Sequence, residues 1–242
     1  MDKPKKIKGI FFDVFGTVFD WHKSIHDEAK KFTIENKITF DEFYFTDRWR
    51  EGFRNLQSKV ASGNRNYLSM DDIHFEVLME LFDELKIDSI SQDKLVQFNK
   101  SWHRLSPWLD SIPGLTKLKN NFFVSALSNG NLSMLIRLSK NSNMPWDSII
   151  STEFFGTYKP DPKVYLGAAK LLEIKPGDSI MVASHAYDLD GAKKAGMKTC
   201  YIHRPNEFGN GISENYGDLS SFDIVVESIE EIEKKIKIYE RG

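Results

Sequence analysis

Two textures alternate along the chain. Residues 8–14 (KGIFFDV) form a short apolar run that ends at an aspartate and is broken by Gly16 and Thr17. Such a run predicts a buried strand that delivers Asp13 to its C-terminal end. From about residue 20 to 106 no alternating run appears. Instead Ile25, Ala29 and Phe32 recur at helical spacing, as do Trp49, Phe53 and Leu56, and then Ile73, Val77, Leu78, Leu81 and Leu85, with residues 63–66 as a turn. This pattern predicts about four helices in a compact unit.

From Pro107 the texture changes again. Pro113-Gly114 predicts a turn followed by a short helix. Residues 122–127, 148–151, 179–183, 198–202 and 222–226 predict strands. Helices are expected between them: one on the stripe Leu132, Leu135, Ile136 and Leu138, one opening at Asp161 as N-cap with Pro162 at N1, and one over 187–195 closed by Gly196. Residues 175–178 read as a turn, and Ser228 with Glu231 predicts a capping box opening the last helix. Strand–helix alternation at this period predicts a parallel α/β sheet with right-handed crossovers. Ligands of open sheets bind beyond the carboxyl ends of the strands. Residues 13–17, 128–130 and 183–188 should therefore meet in one cleft, with the helical segment as a lid over it.

Composition narrows the function classes. The chain has 242 residues, a formal charge of −2, 40% apolar and 28% charged residues, and 18 Phe, 8 Tyr and 5 Trp. Disorder is excluded by this supply of core material, and one large domain or two modest ones fit the length. The near-zero charge gives no reason to expect a nucleic-acid or anionic-membrane partner. The single cysteine, Cys200, excludes an internal disulfide and a cysteine-based metal cluster, and fits a reducing, cytoplasmic setting. The N-terminus begins like a signal peptide, but Asp13 and Asp20 cut its apolar run and no small-residue cleavage site follows. No stretch is long and apolar enough to cross a bilayer. No His/Asp/Glu spacing supports zinc, and the turn after the first strand lacks the dinucleotide-binding GxGxxG.

Asp13 is the first candidate for chemistry. A carboxylate at a strand end can simply cap a turn; desolvated and held by donors, it can act as a covalent nucleophile. The stretch FFDVFGTV (11–18), the strand ending in Ser128-Asn129-Gly130, the segment Tyr158-Lys159-Pro160-Asp161 with Tyr165, and VASHAYDLDGAKKAG (182–196) resemble, in order, spacing and strand context, the four motifs of the haloacid dehalogenase superfamily, and more closely its L-2-haloacid dehalogenase branch. Trp49-Arg50 resembles that branch's cap arginine, and residues 102–115 resemble its return into the core.

The resemblance implies an α/β fold with a Rossmann-like parallel sheet core (1–18 and 107–242) and an inserted helical cap (19–106). It implies a hydrolase in which Asp13 displaces halide from a small halogenated carboxylic acid, forming an aspartyl ester that water then cleaves. Phosphatases of the superfamily carry a second aspartate two residues after the nucleophile, where this chain has Phe15, and an acidic Mg²⁺ ligand where it has Ser184. No metal or other cofactor is therefore expected. A phosphatase acting on a small phosphate ester, and a catalytically weak interaction protein, are the alternative readings. Lys159 is expected to keep Asp13 ionised, and Arg50 to reach the substrate carboxylate or the halide, with Arg48 and Arg54 as competitors on the same charged helix. Thr17, Phe15, Ser128, Asn129, Tyr165 and Ser184 are expected at the substrate, and Asp188 to position water or pair with Lys159. The best-known dehalogenases carry SSNAxD at the fourth motif, where this chain reads Ala183-Ser184-His185-Ala186-Tyr187-Asp188. His185 thus replaces an asparagine, and is expected either to take over its water binding or to mark a branch with a different substrate. His22, His26, His74, His103 and His203 read as structural. The resemblance also allows a homodimer through the helical parts.

Overall fold

The computed structural model describes residues 6–209 and 218–241, apart from the side chain of Ala61. Six parallel strands form the central sheet: β1 (Gly9–Phe12), β4 (Phe123–Ser128), β5 (Ser148–Ser151), β6 (Ser179–Ala183), β7 (Lys198–Ile202) and β8 (Ile224–Val226). Their order is β5-β4-β1-β6-β7-β8. The order reverses direction at β1, where Phe12 pairs with Ala126 on one side and Val182 on the other. Asp13 leaves the sheet at this switch point, and its amide donates to the Val182 carbonyl at 2.9 Å.

Alternation along β1 explains the layers. Phe12 faces the cluster that holds Leu115 and Leu118 of α5 (Ser111–Leu118), Leu135 and Leu138 of α6 (Leu132–Ser142) and Ile232 and Ile236 of α9 (Ile232–Tyr239). Phe11 faces Val164 and Ala168 of α7 (Pro162–Leu171) and Leu189 and Ala192 of α8 (Ala186–Lys194). A strand buried on both faces needs this continuous apolar run.

Four helices leave the sheet after β1: α1 (Trp21–Asn36), α2 (Glu42–Ala61), α3 (Met70–Glu84) and α4 (Gln92–Asn99). A two-stranded antiparallel ribbon, β2 (Phe19–Asp20) with β3 (Ser106–Pro107), ties their two ends together. They form a helical cap packed mainly through aromatic rings, among them Trp49, Phe45, Phe98 and Trp102. The cap is anchored to the core where Asp71, in the first turn of α3, exchanges hydrogen bonds with the Asn131 side chain at 3.2 and 3.3 Å.

Two local expectations are corrected. Pro113-Gly114 does not precede the helix but lies inside α5, because Pro113 falls in the first turn, where amides have no intrahelical acceptor. A Cβ on Gly114 would come within 2.5 Å of Ile229, so glycine permits this helix to touch the turn before α9. Ser228 forms no capping box; its side chain makes no cap bond and a short 3₁₀ turn precedes α9. The Ile229 amide is instead taken by Asp110 Oδ2 at 2.8 Å, a tertiary acceptor replacing the local one.

Asp110 also accepts from Arg204 Nη1 at 3.0 and 3.1 Å, and Arg204 Nε donates to the Thr17 carbonyl at 2.9 Å. Asp110→Ala leaves a buried guanidinium without its counter-ion. It is expected to destabilise the fold by about 3–5 kcal/mol, read as a lowered urea midpoint at unchanged slope.

Candidate active site

Each strand end adds one group. β1 presents Asp13 and Thr17, β4 presents Ser128 and Asn129, the loop after β5 presents Lys159, and β6 leads into Ser184, His185 and Asp188. The Lys159 ammonium lies 2.9 Å from Asp13 Oδ1 and 2.6 Å from Asp188 Oδ2, all three side chains being buried. Its backbone amide donates to Asn129 Oδ1 at 2.9 Å, which fixes the loop against β4. Tyr165 donates to Asp188 Oδ1 at 2.6 Å. On the other side of Asp13, the Thr17 hydroxyl donates to its Oδ2 at 3.0 Å and accepts from the Ser184 amide at 2.9 Å.

His185 lies between two carboxylates. Its Nδ1 is 3.3 Å from Asp13 Oδ2 and its Nε2 is 2.7 Å from Glu207 Oε1. Both neighbours accept, so the imidazolium, a donor at both nitrogens, matches the site. Glu207 is further held by Trp21 Nε1 at 3.2 Å and Ser184 Oγ at 3.1 Å. Gly16 makes room for it: with φ +86°, a Cβ there would fall 2.1 Å from the Glu207 carboxylate.

These contacts set the charges. Burial raises the Asp13 carboxyl, but the Lys159 ammonium and His185 outweigh it and hold the group well below the usual carboxylate range. Burial lowers His185, but Glu207 and Asp13 outweigh it and push the imidazole up to about 10. Burial likewise opposes Lys159 and Glu207, and their oppositely charged neighbours raise the first and lower the second. Burial raises the Tyr187 phenol, which stays neutral.

A cavity of about 20 Å³ opens at Asp13, walled by Phe15, Phe53 and Met70 and rimmed by Arg50, Arg54, Gln57, Asn129, His185 and Tyr187. The Arg50 guanidinium lies 5.3 Å from the Trp21 ring centroid and 5.4 Å from that of Phe53, and its Nε is buried with no hydrogen-bond partner. A larger groove of about 390 Å³ on the cap, bounded by Glu28, Phe32, Lys94 and Arg104, holds no strand-end residue.

Of the residues expected from sequence, Asp13, Phe15, Arg50, Asn129 and His185 line this cavity. Lys159 and Thr17 contact Asp13 directly, and Asp188 contacts the Lys159 ammonium. Tyr165, Ser184 and Ser128 stand behind: Tyr165 on Asp188, Ser184 on Thr17 and Glu207, and Ser128 Oγ accepting from the Gly130 amide at 3.2 Å. Arg48 points away, to Glu51 and Glu84. Sequence reasoning missed Glu207, Tyr187, Gln57 and the placement of Arg54. Helical spacing carried a signal for the last two, since residues 50, 54 and 57 share one face of α2 and residue 48 does not. Of the histidines read as structural, His103 pairs with Asp71 at 2.8 Å and His74 stacks on Trp102 with ring centroids 4.0 Å apart.

A family profile described as haloacid dehalogenase-like hydrolase matches residues 7–196. The chain belongs to this family. The branch follows from individual relatives. (S)-2-haloacid dehalogenase 1 of Pseudomonas sp. (strain CBS-3) is 37% identical over 210 residues, covering 83% of this chain and 86% of the relative. The crystal structure of a defluorinating L-2-haloacid dehalogenase superposes with a TM-score of 0.92 at 34% identity, covering 96% of this chain and 95% of that one. A glyceraldehyde 3-phosphate phosphatase of Methanopyrus kandleri is 29% identical, covering 90% of this chain and 93% of the relative. The L-2-haloacid dehalogenase branch of the family is thus where this chain lies.

The charge arrangement makes a stability prediction. The folded pKa of His185 lies above its ordinary value, so its contribution is fully present below about pH 6.5 and is lost as pH rises through about 10. The melting temperature of the wild type should therefore exceed that of His185→Gln most at pH 6, with the gap closing towards pH 10 in a calorimetric series.

Proposed function

We propose that the protein hydrolyses small 2-haloacids through an ester on Asp13, without a metal ion. The observation that carries this reading is the buried Lys159 ammonium bound to both Asp13 and Asp188. The carboxylates that would hold a divalent cation already share a cation, and Ser184, a neutral group, stands where an acidic ligand would be expected. Among the described residues no group of three or more His, Cys, Asp or Glu side chains is arranged to hold a metal ion. A phosphate ester would also need a proton on its leaving oxygen, and Phe15, which lines the cavity, has none to give. Halide leaves as a stable anion and needs none.

In the first step an Asp13 carboxylate oxygen attacks the carbon that bears the halogen. The C–O bond forms as the carbon–halogen bond breaks, and the halide takes the electron pair. Arg50 offers a cation on the cavity wall for the halide or the substrate carboxylate. Asn129 also lines the cavity, and with its Oδ1 occupied by the Lys159 amide its N–H donors are left for an anion there.

Esterification then changes His185. Asp13 becomes neutral, so one of the two carboxylates that hold the proton on the imidazole is lost and the ring becomes easier to deprotonate. The proton it gives up is the net proton of the overall hydrolysis. Neutral Nδ1, facing the ester, accepts a proton from water as the water oxygen bonds to the Asp13 carboxyl carbon. Collapse of the tetrahedral adduct breaks its bond to the ester oxygen, and the second water proton goes to the departing hydroxy acid. Glu207 fixes the orientation of the ring throughout. Lys159 stabilises the negative charge on Asp13 before attack and after release.

The division into a core of residues 1–18 and 107–242 and a cap of 19–106, a cytoplasmic setting, a homodimer through the cap helices and the absence of a nucleic-acid partner belong to the same proposal. No helix among the described residues is long and apolar enough to cross a membrane.

Rapid-quench kinetics with intact-mass analysis tests the two steps. With chloroacetate, His185→Ala should release a full halide burst and accumulate an adduct of carboxymethyl mass, while Asp13→Asn should show neither. Loss of the burst in His185→Ala with no adduct would reject the water role. A chelator should leave wild-type halide release unchanged; recovery only on adding Mg²⁺ would return the phosphatase chemistry to consideration. Separately, Arg50→Ala should lower kcat/KM by about 100-fold or more, as for a lost charged contact in a buried site, whereas Arg48→Ala should change it by less than about two-fold.

A further inference from the structure

We infer that Glu207 is a positioning residue for ester hydrolysis: by accepting from His185 Nε2 it keeps that proton on the ring, so that the neutral imidazole turns its lone pair, at Nδ1, towards the Asp13 ester. The inference rests on the haloacid reading above and adds what selects the nitrogen that acts. It begins with the two contacts of the ring. Nε2 lies 2.7 Å from Glu207 Oε1, whereas Nδ1 lies 3.3 Å from Asp13 Oδ2. A neutral imidazole keeps one proton, and the hydrogen bond made by one nitrogen settles the state of the other.

In the resting site both acids are charged and the ring donates to each. Around it stand Asp13 with Lys159 and Asp188 on one side, Glu207 on the other, and Arg50 and the Tyr187 phenol on the cavity wall. Of these groups only Asp13 changes charge when the ester forms. It becomes a neutral acceptor while Glu207 stays an anion, and a charged acceptor in a buried site holds a proton more strongly. The Nδ1 proton is therefore the one released. The opposite tautomer would set the Nε2 lone pair against a buried carboxylate that had lost its closest donor. The resting charges already lean this way. Burial disfavours the imidazolium, and Glu207 is the largest influence against it; burial disfavours the Glu207 carboxylate, and His185 is the largest influence against that.

Glu207 is itself held as an acceptor. Oε1 also accepts from Trp21 Nε1 at 3.2 Å, an indole nitrogen that can only donate, and Oε2 accepts from Ser184 Oγ at 3.1 Å. The Glu207 amide donates to the Arg204 carbonyl at 3.1 Å, and Arg204 Nε donates to the Thr17 carbonyl at 2.9 Å. The turn that carries Glu207 is thus tied to the loop that follows Asp13, and the ring between them is fixed at both ends. His185 and Glu207 are both buried, so bulk water does not compete for Nε2.

Two measurements test this. The first uses Asp13→Asn, whose neutral amide stands where the neutral ester would. Histidine ¹⁵N spectra are recorded as pH is raised to about 10, with His185 identified by its loss in the Asp13→Asn/His185→Gln variant. The neutral ring should carry its proton on Nε2. A proton on Nδ1, or a ring that keeps both protons throughout, would overturn the inference. The second is rapid-quench turnover of chloroacetate. Glu207→Leu should leave the halide burst within about three-fold of wild type, because Asp13 retains Lys159 and Thr17, and should slow ester hydrolysis about 100-fold or more, so that the carboxymethyl adduct persists. Glu207→Gln, which keeps an acceptor oxygen without the charge, should recover hydrolysis to within about ten-fold of wild type. Added to His185→Gln, Glu207→Leu should cost less than about two-fold more, since no ring remains to be positioned. Equal slowing of burst and hydrolysis in Glu207→Leu, no recovery in Glu207→Gln, or additive losses in the double variant would each overturn the inference and leave the haloacid reading intact. If Glu207→Leu does not fold, the Asp13→Asn spectra and the Glu207→Gln kinetics decide. If the wild type releases no chloride, the haloacid reading falls, and the spectra alone decide whether Glu207 sets the tautomer.

Discussion

Two carboxylates at the end of a parallel sheet repel each other, and here one buried ammonium holds them together. Lys159 lies 2.9 Å from Asp13 and 2.6 Å from Asp188, and neither acid has free access to water. Removing any one of the three charges would strand the others in a medium where an uncompensated ion costs several kcal/mol. The ammonium therefore acts as a fastener. Asp13 follows β1, Asp188 lies in α8 after β6, and the Lys159 backbone is bound to Asn129 at the end of β4. One ion thus fixes the relative positions of three strand ends, and the switch point of the sheet is where they converge.

The same arrangement poses a difficulty that the rest of the site answers. A carboxylate held by an ammonium, a hydroxyl and an imidazolium is reliably ionised, but it is also a weakened nucleophile, since each donor stabilises the charge it must spend. Desolvation works the other way, and the cavity beside Asp13 is small and walled by Phe15, Phe53 and Met70. The imidazolium on Glu207 adds a further consequence. Against burial, Glu207 and then Asp13 keep it protonated, so on the proposed route neutralising Asp13 would make the ring easier to deprotonate while Glu207 still favours the charged form.

Much of this was legible in the sequence because it lies at strand ends. Asp13, Ser128-Asn129 and residues 183–188 each follow a buried apolar run, and a parallel sheet sends such ends to one edge. Their convergence followed from topology before any distance was known. Glu207 was not legible. It sits in the irregular stretch His203-Arg204-Pro205-Asn206-Glu207, whose composition reads as a turn, and only its place just beyond β7 points to the site. Arg54 was legible only as a competitor of Arg50 on a charged helix, where a solvated face is the ordinary expectation. The buried Trp49 and Phe53 fix the phase of the helix, and only with that phase settled do residues 50, 54 and 57 turn towards the cavity and residue 48 away from it. The failed capping box at Ser228 belongs to the same class: a local acceptor was available, and Asp110, distant in sequence, supplied the bond instead.

The departure at the fourth motif is accordingly not a single substitution. An imidazole in place of an asparagine beside Asp13 adds a group that must be charged to satisfy two acceptors, and its distal nitrogen needs a carboxylate. Glu207 supplies one, 2.7 Å away. That buried carboxylate in turn needs further donors, which come from Trp21 in α1 and Ser184 after β6. It also needs space beneath the first motif, where any side chain at residue 16 would collide with it. Residues 16, 21, 184, 185 and 207 are therefore coupled, and a change at one leaves an unpaired donor, an unpaired charge or a clash at another. A histidine introduced alone would meet Asp13 but no second acid. Its ordinary pKa and the cost of burial would favour the neutral ring, which is less able to support the ionised Asp13 and lacks an acceptor to fix its orientation. What distinguishes this site is the pair of His185 with Glu207, held by the loop glycine and the cap tryptophan together.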